Sequence, residues 1–199
     1  MKNILFTLAL LISFNSFGQT AKEYFNKALE KEDTGDFYGA IYYYTKSIEI
    51  NPNNERALSN RGLVKDQLGD FSGAIADYDK AIQINPDKPV LYYNKGRAKY
   101  SLKNYSEAIE NYNKTIELDG YYTDAYFNRG LSEIFLGNFG SAIINFNFVI
   151  KLRPEYAEAY INRGVARLNM NNKKGACEDA ERAQKLGYDA LQLTKLACD

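Results

Sequence analysis

The chain has 199 residues, of which 25 are Lys or Arg and 25 are Asp or Glu, so its formal net charge at pH 7 is zero. A chain without a cationic excess argues against nucleic acid as the main partner. Histidine is absent, which excludes imidazole metal ligands and histidine-based acid–base catalysis. The composition therefore predicts no enzyme activity, no cofactor and no metal site.

The first 18 residues are predicted to be a signal peptide. A short basic start, Met1-Lys2-Asn3, precedes an apolar run of 11 residues and then small residues at Ser16 and Gly18. An apolar run of this length is too short to span a bilayer. We therefore expect cleavage without stable membrane insertion, a folded domain over 19–199, and a periplasmic or secreted location.

One pattern, asparagine followed by a basic residue and a small residue, recurs every 34 residues from Asn26 to Asn162. Twelve residues after each small residue comes an alanine: Ala40, Ala74, Ala108, Ala142 and Ala176. Four residues later, four of the five copies have an aromatic: Tyr44, Tyr78, Tyr112 and Phe146. A fixed period of this length predicts a solenoid, because no single unit can bury its own apolar face.

Each copy has the pattern of two helices. In the second copy the first helix is predicted over Glu55–Leu68, where Gly62 allows a neighbouring helix to approach closely. The second helix is predicted over Ser72–Ile84 and ends before Pro86, since proline disfavours helical geometry in the preceding residue. Helix pairs with such short connections pack against each other, and each pair covers the next.

These positions resemble the tetratricopeptide repeat (TPR) family. The resemblance covers five copies: 21–54, 55–88, 89–122, 123–156 and 157–190. Two positions depart from the family pattern. Basic residues replace the usual leucine before the glycine, and charged residues replace the usual tyrosine three residues after it: Lys31, Lys65, Lys99, Glu133 and Arg167. The predicted fold is an all-α α-solenoid of five TPR helix pairs with a C-terminal capping helix.

Cys177 and Cys198 are predicted to form a disulfide. Cys177 lies 10 residues before Gly187 and Cys198 lies 11 residues after it, so the two come level in a helical hairpin. The alternative is two buried, unbonded cysteines. The capping helix is predicted over 188–198, and it would cover the exposed end of the fifth pair with one stripe of residues: Ala190, Leu191, Thr194, Ala197 and Cys198.

The repeated asparagines are the candidate binding residues: Asn26, Asn60, Asn94, Asn128 and Asn162. In the TPR family this position lines a concave groove, where an amide supplies both a donor and an acceptor to an extended peptide. Phe25, Tyr93 and Phe127 precede three of them and would act as aromatic anchors. In this interpretation the amides face solvent in the free protein. The alternative is that the amides cap neighbouring helices and the aromatics pack between repeats.

A row of cations follows the amides: Lys27, Arg61, Lys95, Arg129 and Arg163. This row forms either a stripe for acidic ligands or a set of long side chains that pair with nearby acids such as Asp36, Asp70 or Asp77. The sequence does not distinguish the two. The acidic pairs Asp77/Asp79 and Glu178/Asp179 are interpreted as solvated helix surfaces.

The sequence thus predicts a non-enzymatic scaffold that holds a peptide segment of another protein in a concave groove. The carboxylate clamp of cytosolic chaperone adaptors is not predicted, because Val90 stands where the third repeat of such clamps has lysine. One alternative is a module for a cell-surface glycan or another non-protein ligand on tyrosine-rich surface. Another is a subunit of an enzyme whose catalytic chain is separate. The oligomeric state is not predicted.

If residues 1–18 are a signal peptide, the mature chain begins at Gln19. Mass spectrometry of the protein from its native envelope checks this expectation. Recovery of an intact Met1 on envelope-associated protein would instead make the segment an anchor.

Overall fold

The computed structural model describes residues 20–198, and the predicted signal peptide, 1–18, lies outside them. The described residues form eleven α-helices and no strand. The first helix, α1, covers 20–33. The others are α2 (Phe37–Ile50), α3 (Glu55–Gln67), α4 (Phe71–Ile84), α5 (Pro89–Ser101), α6 (Tyr105–Leu118), α7 (Thr123–Phe135), α8 (Phe139–Leu152), α9 (Ala157–Asn169), α10 (Lys173–Lys185) and α11 (Leu191–Ala197).

The fold has the predicted class, an all-α solenoid of helix pairs with a capping helix. Helices α1 to α10 are five successive pairs, and α11 packs against α9 and α10. The chain has two compact units, with the boundary between Ala98 and Lys99 inside α5.

Helix boundaries follow from local chemistry that repeats along the chain. The Asp70 side chain caps α4 by accepting a hydrogen bond from the Gly73 backbone at 2.9 Å, which satisfies one of the unpaired N–H groups of a helix start. Gly69 ends the preceding helix with a φ of 82°, a left-handed conformation that glycine adopts without strain. Lys103 and Asn171 adopt the same conformation at the equivalent repeat position.

The core of the first unit contains the predicted alanines and aromatics. Ala74, Tyr78 and Ala98 form one buried cluster, and all three side chains are fully buried. Gly62 lies against this tyrosine so closely that a Cβ there would stand 2.7 Å from Tyr78 Cε1. The glycine therefore sets how closely α3 and α4 approach.

The second unit repeats the same contact with one change. A Cβ on Gly130 would lie 2.8 Å from Phe146 Cε1, sixteen residues along the chain. Sixteen residues after Gly164 stands Ala180, which is too small to reach the glycine. Instead a Cβ on Gly164 would lie 2.6 Å from Leu193 Cδ2 of α11. The capping helix thus supplies the side chain that the fifth pair lacks.

The predicted disulfide between Cys177 and Cys198 is present, with a Cα–Cα distance of 5.0 Å. It joins α10 to the end of α11. The predicted stripe of α11 was wrong in phase: Leu191 is 53% exposed, whereas Leu193 is 6% exposed. The Asp189 side chain accepts a hydrogen bond from the Leu191 backbone at 3.0 Å, so the helix begins later than predicted and turns a different face to α9.

One buried tyrosine is satisfied and its counterpart is not. Tyr44 Oη donates to Glu32 Oε2 at 2.7 Å. At the equivalent position before Tyr78 stands Asp66, which is one methylene shorter. Within residues 20–198, neither Asp66 Oδ1 nor Tyr78 Oη has a hydrogen-bond partner, although both are buried. Burial accordingly raises the pKa of both groups, and Arg97 only partly opposes this at Asp66.

Gly130→Ala is expected to lower stability by about 1–3 kcal/mol, because the added methyl overlaps the Phe146 ring and Asn145 Cβ. The matched control is Gly140→Ala, where a Cβ meets no atom within 4 Å; there alanine should leave stability unchanged or raise it slightly. Chemical denaturation of the two variants checks this. Equal destabilisation would contradict the close approach at Gly130.

Asp66→Glu is expected to raise stability by about 0.5–1.5 kcal/mol, because the longer side chain restores the hydrogen bond that Glu32 makes in the first pair. Thermal melts compare it with Asp87→Glu, an exposed position where no gain is expected. The gain should disappear when Tyr78 is already phenylalanine. A gain that persists in that background would assign it to another cause.

Candidate functional site

The five candidate asparagines occupy unlike environments. Asn26 is exposed, as expected for a groove amide. Asn60 Nδ2 instead donates to Tyr44 Oη at 3.2 Å, and Asn94 is only 6% exposed. The expectation that all these amides face solvent therefore does not hold for Asn94. In the Asn60 case the reason is that residues sixteen apart lie side by side on neighbouring helices.

The last two asparagines lie in the second unit. Asn162 Nδ2 donates to the Glu158 carbonyl of its own helix at 2.8 Å, and Asn128 is half-buried. Sequence reasoning treated the row as uniform, whereas the structure gives its members at least three different surroundings.

Two of the three predicted aromatic anchors pack into the fold. Phe25 lies with its ring centroid 5.7 Å from that of Tyr44 and is buried. Phe127 stacks on Tyr156 with centroids 4.9 Å apart. Tyr93 is half-buried. Packing between repeats, the alternative for this row, therefore describes Phe25 and Phe127.

Phe25 and Asn26 nevertheless line a surface cavity of about 410 Å³ in the first unit. Its cationic members are Lys22 and Arg56, and the Arg56 guanidinium lies 5.3 Å from the centre of the Phe25 ring. Among residues 20–198, no carboxylate lies within salt-bridge distance of Lys22 or Arg56, whose side chains are exposed. The other lining residues are Ala21, Leu29, Asn51 and Asn54.

The second unit has a cavity of about 450 Å³ at the corresponding repeat positions. Ile161 and Val165 of α9 stand where Phe25 and Leu29 stand in α1. The far wall comes from α11 and includes Leu193 and Leu196. Each unit thus presents a cavity lined by the same face of a pair's first helix.

The cationic row is mostly engaged in a repeating ladder of hydrogen bonds. Arg61 Nε and Nη2 donate to the two carboxylate oxygens of Asp77 at 2.9 and 2.5 Å, and Nη1 donates to Thr45 Oγ1 at 2.8 Å. Arg163 Nε and Nη2 grip Asp179 in the same way at 3.0 and 2.5 Å. Such planar forks match the geometry of a carboxylate. Each arginine bonds forward to the residue sixteen positions later, and Arg61 also bonds to the residue sixteen positions earlier.

The interpretation of Asp77 and Asp179 as solvated surface residues was wrong. Both are 2% exposed, because each carboxylate receives an arginine fork and a second cation. Lys65 lies 2.8 Å from Asp77, and Arg167 lies 2.9 Å from Asp179. A buried carboxylate needs such compensation, since desolvation otherwise disfavours the charge strongly. These residues hold helices together.

The other cations of the row make different contacts. Lys95 pairs with Asp79 at 2.6 Å, and Lys27 Nζ lies 5.8 Å from the centre of the Tyr24 ring. Arg129 donates to two neutral amides, Asn145 Oδ1 at 2.8 Å and Asn113 Oδ1 at 2.6 Å.

No cluster of three or more potential metal ligands occurs in the part of the chain that the structure describes. Over the same residues, every helix is too short or too polar to cross a bilayer.

Comparisons with known proteins agree with this geometry. The sequence matches a TPR repeat model at 66–103 and tetratricopeptide repeat models at 21–54, 89–122 and 127–190. No curated protein sequence matches the chain.

Among solved structures, the MamA protein is 27% identical, with 85% of this chain and 92% of that chain covered and a TM-score of 0.82. MamA from Desulfovibrio magneticus is 21% identical, with 84% and 95% covered and a TM-score of 0.81. YrrB, described as a TPR protein with an unusual peptide-binding site, is 23% identical, with 96% of each chain covered and a TM-score of 0.79.

The repeats and these structural relatives support a protein-interaction scaffold. With matches to the repeat models along most of its length and eleven helices in the corresponding arrangement, the chain belongs to the tetratricopeptide repeat family.

Proposed function

We propose that this protein is a non-enzymatic scaffold that binds an extended segment of another protein along the first helices of its repeats. The observation that carries the proposal is the cavity of about 410 Å³ in the first unit, which brings together Phe25 and Asn26. Apolar lining with a few polar groups of fixed position is typical of ligand sites.

The chemistry of this cavity favours a segment with an acidic group. Asn26 offers an amide donor and acceptor to a peptide backbone. Lys22 and Arg56 stand at the same cavity without a carboxylate partner among the described residues. The face of Phe25 holds Arg56 in place through a cation–π contact. A side-chain or terminal carboxylate of the bound segment would complete both cations.

Export is part of the proposal. Its support is the predicted signal peptide together with the Cys177–Cys198 disulfide, since disulfides persist mainly in oxidising compartments.

Selection of a displayed peptide library on the purified mature chain tests the function. We expect selected peptides to carry Asp, Glu or a free C-terminus, and Lys22→Ala with Asn26→Ala to weaken their binding. Each lost hydrogen bond is worth about 0.5–1.5 kcal/mol, so the double variant should lose about 5- to 100-fold in affinity.

Asn53→Ala is the matched control, because Asn53 is equally exposed but does not line the cavity. It should bind like the parent, and thermal melts should show all variants folded. A library that yields no binders, or peptides that bind the double variant as tightly as the parent, would contradict the proposal.

A further inference from the structure

Arg129 lacks the carboxylate that its counterparts hold. Arg61 and Arg163 each grip a buried aspartate sixteen residues along the chain. At the same position after Arg129 the chain has Asn145, which is 3% exposed. The pair of helices α7 and α8 therefore keeps the guanidinium of the ladder but replaces its anion with a neutral amide.

The hydrogen bonds of Arg129 leave one edge of the fork unused. Nε donates to Asn145 Oδ1 at 2.8 Å and Nη1 donates to Asn113 Oδ1 at 2.6 Å. Within residues 20–198, Nη2 makes no hydrogen bond and no carboxylate lies within salt-bridge distance of the guanidinium. In Arg61 and Arg163, Nη2 is the atom that makes the 2.5 Å contact with the aspartate.

The fork is held rigidly and partly out of water. Asn113 and Asn145 bind it from two sides, and the guanidinium carbon lies 5.2 Å from the centre of the Tyr126 ring. Asn145 is itself fixed, because its Nδ2 donates to the Ser141 carbonyl at 2.9 Å. Burial lowers the pKa of Arg129, which Tyr126 and Glu133 only partly offset. An anion that entered would therefore meet a desolvated, pre-oriented cation.

A cavity opens at this place. It has a volume of about 240 Å³, and its wall includes Arg129, Asn113, Ser141 and Ile144. Ile144 is 69% exposed, so the cavity is reached directly from the surface. Glu133 also lines it, with its carboxylate turned to Asn138 Nδ2 at 2.8 Å.

We propose that Arg129, Asn113 and Asn145 form a binding site for a single carboxylate group. The site is separate from the cavity at Phe25 and Asn26, and it does not depend on the peptide-binding proposal. The ladder supplies the precedent within this chain, because Asp77 and Asp179 fill the equivalent space with their own carboxylates. The nearby Glu133 charge disfavours a dianion such as phosphate relative to a singly charged carboxylate.

Side-chain NMR of the purified chain tests the site by following the Nε–Hε signals of the arginines, with the Arg129 signal assigned by its loss in Arg129→Lys. The probes are sodium acetate, inorganic phosphate, and blocked peptides Gly-Gly-Asp-Gly-Gly and Gly-Gly-Asn-Gly-Gly, each titrated against sodium chloride at constant ionic strength. We expect acetate and the aspartate peptide to shift the Arg129 signal to saturation, whereas Arg61 and Arg163 stay unchanged. An aspartate peptide that binds more tightly than acetate assigns the carboxylate to a polypeptide, and equal affinity assigns it to a small free acid.

Two variants make the test independent of simple loss of folding. Asn145→Asp should supply an internal carboxylate and reduce the acetate response of Arg129 at least ten-fold, while the protein melts no earlier than the parent. Asp179→Asn should open the equivalent site and create an acetate response at Arg163. An Arg129 signal that acetate does not shift, an equal response in Asn145→Asp, or saturation by phosphate at lower concentration than acetate would each overturn the proposal.

Discussion

The structure depends on a close approach between a small residue on the first helix of a pair and a large side chain that covers it. Gly62 meets Tyr78 and Gly130 meets Phe146, each sixteen residues later. This contact leaves no room for a Cβ, so it fixes the distance between the two helices and buries the aromatic completely. The alanines that surround the aromatic can then lie flat against neighbouring helices. The 34-residue period is the sequence record of this one contact, repeated.

A second row of contacts converts an apolar seam into a polar one. In this family the position before the glycine is usually leucine, and the position three after it is usually tyrosine. Here Arg61 and Lys65 occupy them, and both reach Asp77. Two cations around one buried carboxylate satisfy its lone pairs but require matched partners in every pair. Where a partner changes, as from aspartate to Asn145, the neighbouring charges change too, and Glu133 replaces the second cation. The polar ladder therefore differs between repeats while the glycine contact does not.

The sequence predicted what the period determines and missed what crosses from one helix to another. Helix α3 ends within a residue of its predicted boundary, because glycine and capping residues act locally. The burial of Asp77 was not predicted, because an acidic pair on one helix has the same pattern whether it faces water or an arginine sixteen residues away. A signal was present: Arg61, Asp77, Arg163 and Asp179 recur at that separation. The candidate site was predicted only in part for the same reason, since Lys22 and Arg56 join Phe25 and Asn26 through folding and not through the repeat.

The contact between Leu193 and Gly164 limits how the number of repeats can change. Ala180 stands where earlier pairs have an aromatic, and the fifth pair is complete only because α11 inserts Leu193 beside the glycine. The disulfide keeps that segment attached to α10. Duplication or loss of a 34-residue unit is therefore compatible with the fold only ahead of the fifth pair. A unit added after it would displace Leu193 and leave Gly164 facing a void, so gene duplication can lengthen this array from within but not at this end.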